Sequence, residues 1–189
     1  MSTRDQIIQT TCELIENQGY NATGLNQIVK ESGAPKGSLY YYFPDGKEEI
    51  TDEAIHWAGQ TVAGRIRSGL QASDDPAEAI RIFIENVAHH VEASGFRAGG
   101  PLTTVALESA TTSERLNLAC REAYDLLQGA FREKLAASGL PEVRAAELAS
   151  FITASIEGAI ILSRTYHTGD PLRRTAGHLE RCIQQELRR

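Results

Sequence analysis

Along most of the chain, apolar residues recur at three- and four-residue steps, and no stretch alternates apolar with polar long enough to form a strand. Ile7, Ile8, Thr11, Leu14 and Ile15 follow helical spacing, and Gly19 suits the position just past a helix end, so a first helix is predicted over Thr3–Gln18. Thr23 can cap a second helix over 24–32, which carries Leu25, Ile28 and Val29 inward and ends at Gly33. Pro35 opens a third that ends at Phe43; after the Pro44-Asp45-Gly46 turn, Lys47 opens a long fourth helix reaching about Gln71.

Asp75-Pro76, with Glu78 in the first turn, starts a fifth helix that ends near Ser94-Gly95. The Gly99-Gly100-Pro101 loop precedes a short sixth helix over 103–110. Ser113 or Thr112 caps a seventh running to Ser138, with Gly139 at its end. Pro141 opens an eighth to about His167, closed by Gly169, and Asp170-Pro171 opens a ninth that runs to the last residue. The fold class expected is therefore all-α, with about nine helices and no internal repeat.

Composition narrows the class. With 189 residues, 41% hydrophobic and 23% charged, the chain has the make-up of a folded globular protein rather than a disordered one. No apolar run approaches the roughly 18 residues that cross a bilayer, and the polar Met1-Ser2-Thr3-Arg4 start leads straight into an amphipathic pattern, so no membrane association and a cytoplasmic location are expected. Cys12, Cys120 and Cys182 are an odd number without a C-x-x-C pair, and are expected reduced and partly buried. The five histidines have no metal-binding spacing; neither metal nor cofactor is expected. There is no G-x-S-x-G, no phosphate-binding loop and no local Cys/His pair, which argues against an enzyme, although a helical enzyme with dispersed residues is a rival.

The net charge is −6, and residues 1–50 hold four basic against seven acidic residues, so bulk charge does not draw this chain to nucleic acid. Residues 23–43 nevertheless read as a helix-turn-helix: the connection Gly33-Ala34-Pro35 is too short for its two helices to lie antiparallel, and a steep crossing presents the second to a major groove. That second helix reads Lys36-Gly37-Ser38-Leu39-Tyr40-Tyr41-Tyr42-Phe43. At 100° per residue Leu39 and Phe43 share the core face and Tyr41 points nearly opposite. Tyr40 and Tyr42 flank it, each as well placed for the core as for the surface. Gly37 and Ser38 lie on the outer side with Tyr41, where a backbone can approach closely. Lys36 and Lys47 each sit at a helix start, where N–H groups also attract anions. A few such groups can hold phosphates despite the acidic balance.

The run Gly19-Tyr20-Asn21-Ala22-Thr23 … Ile28-Val29 … Ser32-Gly33-Ala34-Pro35-Lys36-Gly37-Ser38-Leu39-Tyr40-Tyr41-Tyr42-Phe43 … Lys47-Glu48-Glu49-Ile50 resembles the N-terminal signature of the TetR family of transcriptional regulators. The resemblance implies a three-helix DNA-binding domain and a larger helical ligand-binding and dimerisation domain; with the composition shift near Ser73-Asp74-Asp75 as the boundary, a helix-turn-helix DNA-binding domain is expected over 1–50, a connecting helix over 51–74 and the ligand-binding and dimerisation domain over 75–189. It also implies a homodimer that binds double-stranded operator DNA as a repressor until a small molecule releases it. By position it assigns operator contacts to Thr23, Gly24, Lys36, Gly37, Ser38, Tyr40, Tyr41 and Lys47. Pro35 departs from the family, which often has a serine or threonine there. The Phe43-Pro44-Asp45-Gly46-Lys47 turn and the later Gly100-Pro101-Leu102 segment are similar to the LmrA/YxaF-like branch.

For the C-terminal half the residues themselves give the expectations. The eighth helix is apolar around more than one stripe, so one side is expected against a partner copy. Ser155, Gly158 and Ala159 would permit close approach, and Leu179, Ile183 and Leu187 of the ninth helix would complete the seam of a homodimer through helices eight and nine. Candidate contacts for an apolar or amphipathic effector are Phe83, Val87, His90, Leu102, Val105, Phe131 and Ile152, with the Gly99-Gly100-Pro101 break at the pocket edge. Two rivals remain within DNA binding: a protein with no effector, and one controlled by a protein partner.

Overall fold

The computed structural model describes residues 1–109 and 112–188. Among them are nine α-helices: α1 (Thr3–Gln18), α2 (Leu25–Ser32), α3 (Lys36–Tyr42), α4 (Lys47–Gly69), α5 (Pro76–Ala93), α6 (Pro101–Ser109), α7 (Glu114–Ala137), α8 (Glu142–Tyr166) and α9 (Asp170–Leu187), with a 3-10 turn, Leu70–Ala72, after α4. The expected end of the sixth helix at Ala110 and the last residue of the ninth lie outside the described residues.

The caps explain most boundaries. Ser2 and Asp5 form a reciprocal capping box at α1. Asp75 accepts from the Ala77 N–H at 2.8 Å to open α5. Thr23 does not cap α2, contrary to expectation. Its hydroxyl donates to the Gly19 carbonyl at 2.7 Å, and Gly24 takes the N-cap position without a side-chain bond.

The helices divide into two compact units, Met1–Thr61 with Gly100–Tyr124, and Val62–Gly99 with Asp125–Arg189. In the first, α1 packs against α2, α3 and α6 around Ile7, Ile15, Ile28, Leu39, Phe43, Ile50 and Leu116, all fully buried. Polar bonds tie the start of α7 to α4: Arg115 donates to Asp52 at 2.8 Å and to Asp45 at 3.1 Å, and the Ser113 hydroxyl donates to Glu48. Cys12 and Cys120 are buried here, and burial pushes the Cys120 thiol up to about 11, which leaves it unreactive at neutral pH.

His56 belongs to the same α4–α7 contact. Its Nδ1 faces the Asp52 carbonyl at 2.8 Å and its Nε2 faces Glu122 at 3.0 Å. Only the imidazolium has an N–H for both acceptors. Burial opposes the charge, but the bonds to Asp52 and Glu122 and their carboxylate charges outweigh it and raise the His56 pKa above 6.5. With the folded value raised, the stabilisation is complete below the unfolded pKa and is lost as pH rises through the folded one. A half-exposed pair of this kind contributes about 0.2–1 kcal/mol. The melting temperature is therefore expected to fall by about 1–3 °C between mildly acidic and mildly alkaline pH through this group, and His56→Gln to remove that part of the slope. Scanning calorimetry of both proteins across that range checks it; identical slopes would exclude the His56 contribution.

In the second unit α5 packs against α8 and α9. The core includes Ile80, Ile84, Phe131, Leu135 and Ile152, and Phe83 meets Phe131 edge to face with ring centroids 5.8 Å apart. Arg173–Glu92 links α9 to α5 at 2.6 Å and Arg144–Glu186 links α8 to α9 at 2.8 Å. Two expectations are corrected here. An 18-residue window of α8 reaches a mean hydropathy of 1.5, so by length and composition it does meet the level of a membrane span. Its apolar character has a structural reason instead: Leu148, Ala149, Ile152, Ile156 and Ile160 fill the core of the unit. Leu179 and Ile183 of α9 are buried within the chain, so they are not available to a partner copy.

Candidate nucleic-acid interface

The sequence makes α2 short because Gly33, at φ +67°, turns the chain into the left-handed region. Ala34 is buried, and Pro35 holds an extended backbone that leads into α3. Leu39 and Phe43 then anchor α3 in the core. Arg4, 39 positions from Phe43 in the chain and without a signal in the sequence, lies 5.6 Å from the Phe43 ring centroid and pairs with Glu53. It braces the end of the helix.

Outside the anchor, α3 presents what its periodicity demands. Tyr41 is 80% exposed, Tyr40 51% and Tyr42 38%. The Tyr41 and Tyr42 rings meet edge to face with centroids 5.1 Å apart. Lys36 and Gly37 are exposed, Ser38 is half-buried, and the space above the Gly37 Cα is open. Gly24, at the start of α2, is also exposed.

Two assigned contacts are placed differently. Thr23 is 1% exposed with its hydroxyl on the Gly19 carbonyl, so its side chain is closed to a phosphate. Lys47 is half-buried, with Nζ 4.1 Å from the Tyr20 ring centroid. Burial lowers its pKa, and the Glu108 charge works in the opposite direction.

Four of the seven acidic side chains in residues 1–50 are engaged by groups outside α3. Asp5 is engaged in its capping box, Asp45 with Arg115, Glu48 with Ser113, and Glu49 accepts from the Asp45 N–H at 3.0 Å. Among the described residues Lys36 has no carboxylate partner, so its charge is available to an anion.

The seven candidate effector contacts do not gather in one unit. Leu102 and Val105 belong to the first, where with Cys12, Ile15, Ala54, Ile55 and Ala58 they line a cavity of about 10 Å³, too small for more than a water-sized occupant. Phe83, Val87, Phe131 and Ile152 belong to the second. His90, expected on an inward face, is exposed on α5. Of the residues expected at the pocket edge, Gly99 falls in the second unit and Gly100 in the first.

A short helix anchored by two apolar residues, turned out of its predecessor by a left-handed glycine and carrying tyrosines outward, is the second helix of a helix-turn-helix DNA-binding protein. The chain belongs to the TetR family of bacterial transcriptional regulators. The family model described as bacterial regulatory proteins, tetR family, matches residues 7–54, and that of the transcriptional regulator LmrA/YxaF-like C-terminal domain matches residues 76–178. The HTH-type transcriptional regulator LmrA of Bacillus subtilis is 40% identical over 98% of this chain and 97% of its own length. YxaF of the same organism, also described as an HTH-type transcriptional regulator, is 43% identical over 89% of this chain and 88% of its own. Among solved structures, a TetR transcriptional regulator from Chloroflexus aurantiacus is 28% identical and superposes with a TM-score of 0.80 over 97% of this chain and 95% of that one. The fold is also that of a TetR regulator from Legionella pneumophila, with a TM-score of 0.82 at 20% identity over 97% and 98% of the two chains. The protein is thus a DNA-binding transcriptional regulator and not an enzyme.

Proposed function

We propose that the protein is a homodimeric repressor, working in the cytoplasm, whose operator binding is released by an apolar or amphipathic small molecule. Gly24, Lys36, Gly37, Ser38, Tyr40 and Tyr41 are its surface for the operator, with Lys47 reaching a phosphate only by leaving the Tyr20 ring. Thr23 acts by shaping the turn before α2.

The observation that carries the ligand-released mechanism is the course of α4. This single helix of 23 residues begins at Lys47, just after α3, and ends at Gly69, where a Cβ would lie only 2.8 Å from the Phe83 ring. Phe83 therefore rests directly on the α4 backbone, and it also meets Phe131. A ligand that separates Phe83 from Phe131 would displace the end of α4. The first residues of α4 follow α3 in the chain, so the spacing of two recognition helices in a dimer would change with it. Consecutive half-sites stand about 34–36 Å apart, and a dimer with altered spacing engages only one. The ligand weakens operator binding by its preference for the non-binding conformation and by no more than that.

The dimer reading rests on α8. Val143, Phe151, Ile161, Leu162 and Tyr166 are exposed although apolar or aromatic, and Ala154 and Gly158 lie exposed between them at seam spacing. Ala159, expected to permit close approach, is buried, so Ala154 takes that role.

Selection of fragments bound from total DNA of the source organism, followed by sequencing, identifies the operator. Fluorescence anisotropy on that duplex, repeated with compounds shown by calorimetry to bind the protein, tests release. A bound compound should raise the dissociation constant for DNA. If compounds bind and none changes it, the protein is a regulator without effector coupling.

A further inference from the structure

One carboxylate in the first unit brackets the helix-turn-helix from outside it. Glu108, near the end of α6, accepts the Asn21 N–H on Oε2 at 2.7 Å, across 87 positions of sequence. Its Oε1 stands where a side chain at Gly19 would begin: a Cβ there would lie 2.5 Å from it, and Gly19 also has φ +91°. The turn so held runs on through Thr23, whose N–H donates to the Tyr20 carbonyl at 3.1 Å and whose hydroxyl donates to that of Gly19. The next residue is Gly24, the N-cap of α2. At the far end of the helix-turn-helix, the Lys47 ammonium lies over the ring of Tyr20, the residue between Gly19 and Asn21, and Glu108 acts on its charge.

We propose that Glu108 is a positioning residue for operator recognition: its carboxylate fixes the Gly19–Asn21 turn, and through that turn the placement of α2 and α3. The role rests on α3 being the operator contact. The physical requirement is length as well as chemistry. The bond lies at the surface, where water can replace a lost acceptor, so what Glu108 supplies is the fixed placement of the turn; that placement fails when the acceptor withdraws by about 1 Å. Glycine at position 19 is required by its backbone angle, φ +91°, and any side chain there would also push the Glu108 carboxylate out of its place.

Two variants of the full chain separate reach from charge. Glu108→Gln keeps an acceptor oxygen at the same distance and loses the charge; Glu108→Asp keeps the charge and shortens the side chain by one methylene. Amide exchange at Asn21, followed by NMR in the free protein, and affinity for the duplex recovered by the DNA selection are both measured, with melting temperature as the control for folding. Glu108→Asp should speed Asn21 exchange and weaken the duplex by about tenfold each, whereas Glu108→Gln should stay within about threefold of the parent in both. An aspartate variant that binds the duplex like the parent, or a glutamine variant as impaired as the aspartate one, overturns the role. A parent protein that captures no DNA fragment at all sinks the operator reading and this role with it, while the exchange data still report whether the turn is held.

Discussion

Gly158→Arg is expected to convert the protein from a dimer to a monomer without unfolding the chain. Gly158 is exposed on α8 with nothing within 4 Å of where its Cβ would stand, so the fold has room for a side chain there. Within a helix the change from glycine is favourable by up to about 1 kcal/mol. The obstacle is only to a second copy. Gly158 lies at seam spacing between Ala154 and the exposed Ile161 and Leu162, and a long cation brought into that apolar contact loses its water without gaining a partner. Light scattering after gel filtration should give the mass of one chain for the variant and of two for the parent. Because the second half-site becomes unreachable, operator affinity should fall by about 10²–10⁴-fold. A variant that remains dimeric would exclude this face of α8 as the seam.

Tyr41→Ala is expected to weaken operator binding about ten- to a hundredfold while leaving stability within about 0.5 kcal/mol of the parent. The two effects separate because Tyr41 is 80% exposed and the anchoring of α3 rests on Leu39 and Phe43. Its neighbour Tyr42 loses an edge-to-face contact, which is the only intramolecular ring contact of Tyr41 among the described residues. Tyr41→Phe divides the effect: if the phenol donates to a phosphate, this variant loses part of the affinity equally on operator and on unrelated duplex. The salt dependence offers a cross-check, since Lys36→Ala should reduce its slope by about one unit and Tyr41→Ala should leave it nearly unchanged. Duplex titrations of the three variants at several salt concentrations check all of this. Parental affinity in Tyr41→Ala would remove α3 from the interface.

Much of the recognition helix was legible in the residues. Leu39 and Phe43 stand four apart, and that spacing alone places them on one face and Tyr41 on the other. Gly33 marks the end of α2 because only a residue without Cβ enters the left-handed turn at no steric cost. The errors have a common cause. Thr23 looks like a helix cap because the residue type and its place before an apolar run fit one, but its hydroxyl bonds back to Gly19. Lys47 looks like a free cation because a sequence does not show that Tyr20 lies beneath it. His90 and Leu179 have the types expected of a pocket wall and of a seam; which way each points was settled by α5 and α9 packing on one another.

Local spacing and residue type by themselves determined that this chain is helical, where nearly every helix begins and ends, and that a tyrosine-bearing helix near position 40 is anchored by two residues and open on the other side. These are short-range properties, fixed by backbone geometry within one or two turns. Tertiary structure alone decided that α6 joins the N-terminal helices, that Glu108 reaches Asn21 across 87 positions, and that the acidic side chains beside α3 are occupied elsewhere. Each of those depends on which distant segments pack together, and the energy of that packing is shared among many contacts that no local pattern records.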